Sequence, residues 1–194
     1  MKTKLGVVLT VALLFVQINI LEAQSFKLKA YKMSVKGTSS LHDWESTVEK
    51  LDVKGFYSLD KATLTDVKDV VLRIPVTSIK STKGKTMDNK TYEAFHHDKF
   101  PNVIFTLNAK KINSSNSTMD VKGTLAMAGT TNQIDMKVHY KVLPNGELQI
   151  TGSKKLLMTA FKMEPPTAVM GTIKVGNEVE VVFDITLTSN DTIL

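Results

Sequence analysis

The chain has no cysteine. That absence excludes a disulfide scaffold, a zinc ribbon, CxxC redox chemistry, a thiol nucleophile and a lipidated N-terminal cysteine. Aromatic residues are scarce at 7%, with one tryptophan, and there are 5 prolines. Neither a GxSxG elbow nor a phosphate-cradling glycine loop occurs. Paired carboxylates for acid–base work are missing too: Glu178 and Glu180 share one side of an alternating segment, and Glu164 precedes two prolines. Positive charge is in modest excess, with Lys+Arg 25 against Asp+Glu 19 and a net charge of +6. Such a surplus does not specify an anionic partner. Lys27, Lys29, Lys32 and Lys36 line the polar side of one segment, but acidic residues are scattered elsewhere, which marks a solvated face over a nucleic-acid surface.

What is present is sufficient for a packed core. The sequence has 194 residues and is 42% hydrophobic, enough for a single domain. Lys2 and Lys4 precede an apolar run from Leu5 to Ile20, and Leu21-Glu22-Ala23 ends on a small residue. A basic start, a short apolar middle and a small-residue exit describe a secretory signal peptide over residues 1–23, cleaved near Ala23. Residues 24–194 then form the mature domain, periplasmic or secreted, with no stable membrane insertion. No later run approaches the roughly 20 apolar residues of a membrane-spanning helix.

From Gln24 onward the dominant hydrophobic period is two. Val179, Val181, Phe183, Ile185 and Leu187 alternate with Glu178, Glu180, Asp184, Thr186 and Thr188. Ile134, Met136, Val138, Tyr140 and Val142 alternate with Gln133, Asp135, Lys137, His139 and Lys141. Each segment shows one face to an apolar interior and the other to water. Phe26–Lys36, Thr47–Tyr57, Val67–Val76, Val103–Ala109, Met119–Ala128 and Leu148–Met158 complete a set of about eight antiparallel strands. In the first, apolar parity switches between Ala30 and Tyr31, which predicts a bulge there. Pro75 suits a strand end. Pro144-Asn145-Gly146 and Gly129 mark tight turns. Exposed edges are a liability, so an all-β, single antiparallel eight-stranded barrel is expected, with a two-sheet sandwich as the alternative.

Two connections are too long for hairpins. Residues 77–101 suit a short helix, with Asp88 as N-cap and Tyr92, Phe95 and His96 on one face. Residues 159–177 carry Phe161, Met163, Pro165, Pro166, Met170 and Gly171 and read as a long lid-like loop over one barrel end.

Four stretches also resemble a known family: Gly37-Thr-Ser-Ser-Leu-His-Asp-Trp44, Phe100-Pro-Asn-Val-Ile-Phe105, Lys122-Gly-Thr-Leu-Ala-Met-Ala-Gly-Thr-Thr131, and Phe161-Lys-Met-Glu-Pro-Pro-Thr-Ala-Val-Met-Gly171 followed by Val175-Gly-Asn-Glu-Val179. In their order and spacing the chain resembles the YceI-like family of secreted lipid- and polyisoprenoid-binding proteins. That resemblance implies a lipocalin-like barrel with an elongated apolar cavity that takes up an isoprenoid, isoprenoid quinone or fatty chain. It departs from the commonest family pattern around Trp44, where many members carry a phenylalanine-based motif.

The expected role is binding, with no cofactor beyond a bound lipid, no catalytic residue and no metal. Parity nominates Trp44, Leu72, Ile74, Phe105, Leu107, Met127, Met136, Val138, Phe161, Met163, Met170 and Phe183 as cavity-lining residues. Phe95 and Phe100 are expected to close one end. His42 and Asp43, beside Trp44, are candidates for a polar head group or for a turn-capping network. The pair also defines a rival, an envelope lipid-modifying enzyme with His42 and Asp43 as acid and base. A second rival is a dry barrel whose loops bind a protein. His96-His97-Asp98 has metal-ligand donor types, but helical neighbours diverge and no third histidine sits at ligand spacing. The expected partner is a small apolar lipid, on a monomer or homodimer.

Overall fold

The structure, a computed structural model, describes residues 23–168 and 170–190. The expected signal peptide, Ala23 apart, lies outside the described residues. The elements are β1 (Gln24–Ser39), β2 (Trp44–Val48), β3 (Asp52–Asp60), β4 (Thr63–Pro75), β5 (Ile79–Ser81), α1 (Lys85–Phe95), β6 (Asn102–Asn113), β7 (Thr118–Met127), β8 (Thr130–Val142), β9 (Leu148–Leu157), β10 (Thr167–Ala168) and β11 (Ile173–Ser189). The sheet runs β11-β9-β8-β7-β6-β4-β3-β1, and β1 pairs back onto β11. Eight antiparallel strands therefore close into a barrel, as the alternating pattern predicts.

Alternation decides which side chains face in. On β7, Met119, Val121, Leu125 and Met127 are buried while Asp120 and Lys122 are exposed. On β8, Val138 and Tyr140 are buried, and Asp135, Lys137 and His139 face water. A two-residue turn at Ala128 and Gly129, both at positive φ (50° and 76°), joins these strands. That geometry matches the right-handed twist of a hairpin and explains the glycine.

Four details differ from the sequence expectation. The first bulge falls at Lys29, between Leu28↔Leu187 and Ala30↔Thr186, not between Ala30 and Tyr31. Ala30 is exposed; its small apolar side chain is compatible with either face, so it misplaces the parity switch. The single strand expected over 47–57 is interrupted after Val48, yet β2 and β3 keep one register against β1 (Ser34↔Thr47, Gln24↔Tyr57). Ser78 fills the break: its carbonyl accepts the Glu49 N–H at 2.9 Å, and its hydroxyl donates to the Lys50 carbonyl at 3.2 Å. Pro75 ends β4, as its missing N–H dictates, and a 3-10 turn leads to β5 beside β2.

The helix start is the third difference. Gly84 occupies the N-cap position, and Asp88 lies buried in the first turn of α1. There it accepts the Ser81 N–H at 2.7 Å and sits 3.5 Å from the Lys80 ammonium, so it ties α1 to β5. The fourth adds detail to the lid. A 3-10 turn at Met158–Phe161, the short β10 and an early start of β11 give part of residues 159–177 regular structure. The connection still covers the lumen through Met163 and Pro166.

One end of the barrel carries the β3–β4, β6–β7 and β8–β9 turns, and it is plugged. Tyr57 is 1% exposed, Leu148 0% and Leu187 2%. Phe26 and Tyr57 stack with centroids 6.1 Å apart, and the Tyr57 hydroxyl donates to the Gly146 carbonyl at 3.1 Å. Lys29, freed by the bulge, pairs with the buried Glu147. Burial, then the Glu147 charge, push the Tyr57 phenol up; the Lys29 hydrogen bond holds the Glu147 carboxyl below its usual range. A lowered folded pKa means that this pair's contribution is fully present above the unfolded carboxyl pKa, about 4.3, and disappears as pH falls through the lower folded value. Glu147→Gln is therefore expected to unfold at lower urea than the wild type at neutral pH. Below about pH 4 the difference narrows, which urea midpoints measured across pH will show.

Candidate ligand-binding site

The plug occupies only one end. Between it and the opposite end, the barrel encloses a cavity of about 570 Å³, well within the 300–1,000 Å³ of pockets that hold small organic ligands. Its wall is almost wholly apolar and is contributed by β1 to β9, by β11, by α1 and by the β9–β11 connection. Its solvent-exposed lining residues include Leu41 and His42 of the β1–β2 turn and Thr86 of α1, which marks this end as the mouth.

The interior stays open because its largest side chains lie flat against the wall. A Cβ built on Gly123 would overlap the Phe105 ring and stand 2.5 Å from the Thr106 carbonyl. One built on Gly152 would stand 2.9 Å from the Phe183 ring, and one on Gly37 would overlap the Trp44 indole. Each ring thus occupies the space a neighbouring strand leaves by carrying glycine, and its width is taken from the wall instead of the lumen. The Trp44 indole is further fixed at the mouth by donating to the Thr38 carbonyl at 3.0 Å.

Trp44, Leu72, Ile74, Phe95, Phe105, Leu107, Met127, Met136, Val138, Met163 and Phe183 all line the cavity. Phe100, Phe161 and Met170 do not. Phe100 is 39% exposed and lies on Gly129 at the β7–β8 turn, so Phe95 stands at the mouth without it. Phe161 is buried, but its 3-10 turn places it between β8 and β9, in a second pocket. Met170 stands free in solvent at a positive-φ position. Parity missed these three because each lies in a connection, where alternation carries no information. It overlooked Met33, Val53, Val121, Ile150, Val179 and Ile185, all of which line the cavity and were readable from strand alternation.

His42 reaches the mouth; Asp43 is exposed and does not. The His42 Nδ1 lies 2.7 Å from the Asp43 backbone carbonyl, so the imidazole meets no carboxylate there. Ser39, not Asp43, caps the turn: its hydroxyl accepts the N–H groups of Leu41 and His42 and donates to the His42 carbonyl at 2.7 Å. The charged side chains that touch the cavity are Lys83, Lys90 and Lys154, with no Asp or Glu among its lining residues. Lys90 is paired with Glu93 at 3.0 Å. Among the described residues no group of three or more His, Asp or Glu is placed to hold a metal.

Restoring a side chain at the glycines tests this packing. Gly123→Ala meets a backbone carbonyl that cannot yield and is expected to lose about 1–3 kcal/mol. Gly152→Ala meets the Phe183 ring edge and a Val138 methyl, side-chain atoms that can shift, and is expected to lose less. Thermal melts of the two variants measure the order.

The profile of the YceI-like domain family matches residues 21–187. No curated protein matches. Among solved structures, BcnA of Burkholderia cenocepacia is 16% identical with a TM-score of 0.64, over 82% of this chain and 96% of that one. A polyisoprenoid binding domain from Saccharophagus degradans is 13% identical with a TM-score of 0.66, over 86% and 99%. A Campylobacter jejuni YCEI protein is 16% identical with a TM-score of 0.56, over 98% and 94%. At these identities the structures share the fold alone, whereas the profile spans nearly the whole described barrel: the chain belongs to the YceI-like family.

Proposed function

We propose that the protein is a non-catalytic binding protein that shelters a long-chain apolar ligand, a polyisoprenoid, isoprenoid quinone or fatty chain, in its barrel. The observation that carries this reading is the cavity: about 570 Å³ of apolar-lined space, open at one end and plugged at the other. Each methylene moved from water into such a lumen contributes about 0.8 kcal/mol, so chain burial alone supplies the driving force. Membership of the YceI-like family and the polyisoprenoid binding named for the Saccharophagus neighbour support the same ligand class.

The head group stays at the mouth, where His42, Lys83 and the Trp44 indole border water. The enzyme alternative loses its main support, because Asp43 does not reach the cavity and His42 meets only its backbone oxygen. One chain contributes every wall of the lumen, so a monomer suffices for binding. Export is part of the proposal: β1 opens at Gln24, immediately after the expected cleavage point, so every described strand lies in the mature chain.

Protein purified from its own host is expected to carry a lipid adduct in native mass spectrometry. Delipidated protein is expected to take up a fluorescent fatty acid with one-to-one stoichiometry. A clean apo mass together with no uptake of any polyprenol or fatty chain overturns the reading.

A further inference from the structure

The wall is incomplete on one side. β8 stays paired with β7 from Thr118↔His139 to Met127↔Thr130, and β9 stays paired with β11 up to Leu157↔Glu178. Between β8 and β9, however, pairing runs only from Val142↔Leu148 to His139↔Thr151. Beyond that point the two strands diverge, leaving residues 130–138 and 152–157 facing each other without a ladder.

A second hollow, far more open to solvent than the lumen, lies along this seam. Its lining draws on both faces of the wall. Successive side chains of a strand point to opposite faces, yet this cavity touches inward-facing Ile134 and Leu156 as well as outward-facing Gln133, Lys155 and Leu157. Ile134 and Leu156 also line the main lumen, so the two cavities meet at a shared partition. Ala160, Phe161 and Leu157 continue the apolar surface outward, and Leu157 is 48% exposed. Only side chains bridge the seam: the Lys154 ammonium donates to the Asp135 carbonyl at 2.5 Å, and the Asn132 amide donates to the Ala160 carbonyl at 2.7 Å. Both bonds end on backbone oxygens at solvent-exposed positions, where water readily replaces them.

We propose that the seam between β8 and β9 is a second opening of the ligand site. Through it the distal end of an apolar chain too long for the main lumen extends between Ile134 and Leu156 toward Phe161 and Leu157. The inference rests on the binding reading above and adds to it a ligand class: chains longer than the lumen, threaded through the wall. Under this proposal the plug at the Tyr57 end need never open, and ligand length has no sharp upper limit.

The absence of cysteine and the single tryptophan at the mouth make the test direct. Gln133→Cys is labelled with a solvatochromic dye, and Lys122→Cys, outward on β7, serves as the control position. Lauric and lignoceric acids, which share a head group and differ in length, are titrated into each, with Trp44 emission reporting lumen occupancy. Both acids are expected to change Trp44 emission, while only lignoceric acid blue-shifts the dye at 133 and neither acid moves the dye at 122. Changes at Trp44 with no shift at 133 for either acid overturn the second opening and leave the binding reading intact. A shift at 133 of equal size for both acids, or at 122 as well, also overturns it, since the response then does not follow chain length through the seam. No change at Trp44 with either acid removes the binding reading and this inference together.

Discussion

β1 runs antiparallel to β11 from Phe26↔Ser189 to Ser39↔Val175, and this ladder joins the two edges of what would otherwise be an open sheet. An open sheet presents unpaired backbone to other chains and needs a second layer to cover its apolar face. Closure removes both needs, because the apolar face becomes an interior. The bulge at Lys29 lets so long a strand serve: it resets the inward parity from Phe26 and Leu28 to Met33 and Val35, and it releases Lys29 toward Glu147 at the plugged end.

A closed wall of eight strands yields an interior that side chains either fill or leave open. Here the two outcomes are divided along the axis. Toward Tyr57, Leu64 and Leu148 the side chains are almost completely buried, and Phe26 stacks on Tyr57. Toward α1 the large rings turn aside onto glycine, as Phe105 does on Gly123 and Phe183 on Gly152. The glycines that interrupt β7 and β9 would weaken an ordinary strand. In this barrel their missing side chains are what keep the aromatic bulk out of the lumen.

Much of this was legible in the sequence, and the reason is geometric. A strand with one wet face must alternate, so β7, β8, β9 and β11 announced both themselves and their inward residues, and the lining residues taken from them proved to face the cavity. The failures share one cause. Phe100, Phe161 and Met170 lie in connections, where a side chain's direction depends on local turns and tertiary packing. Asp88 was misread as a cap because a carboxylate near a helix start also fits an acceptor for a neighbouring strand, and only the fold shows that Ser81 is the donor. The glycine–aromatic pairs went unseen because each joins residues from different strands, and single-strand periodicity contains no cross-strand term. The β8–β9 seam is invisible for the same reason: both strands alternate normally, and nothing local says where two strands part.

An apolar lumen with few polar groups sets a particular kind of selectivity. A site that hydrogen-bonds its ligand rejects an analogue lacking the partner group strongly, whereas a hydrophobic pocket separates neighbours differing by one methylene by only about 1–3 kcal/mol. Among the lining residues the charged side chains and the imidazole are His42, Lys83 and Lys90 toward the mouth and Lys154 at the seam, and the remaining polar groups are a few serine and threonine hydroxyls. Under the proposed function, the deep wall of Met119, Val121, Val138 and Ile150 ranks chains by length and girth and scarcely by chemical detail. Affinity under that reading grows with each methylene buried. A binding protein of this design suits a class of lipids sharing a long hydrocarbon body, and its discrimination within that class resides in the few polar groups where the chain leaves the barrel.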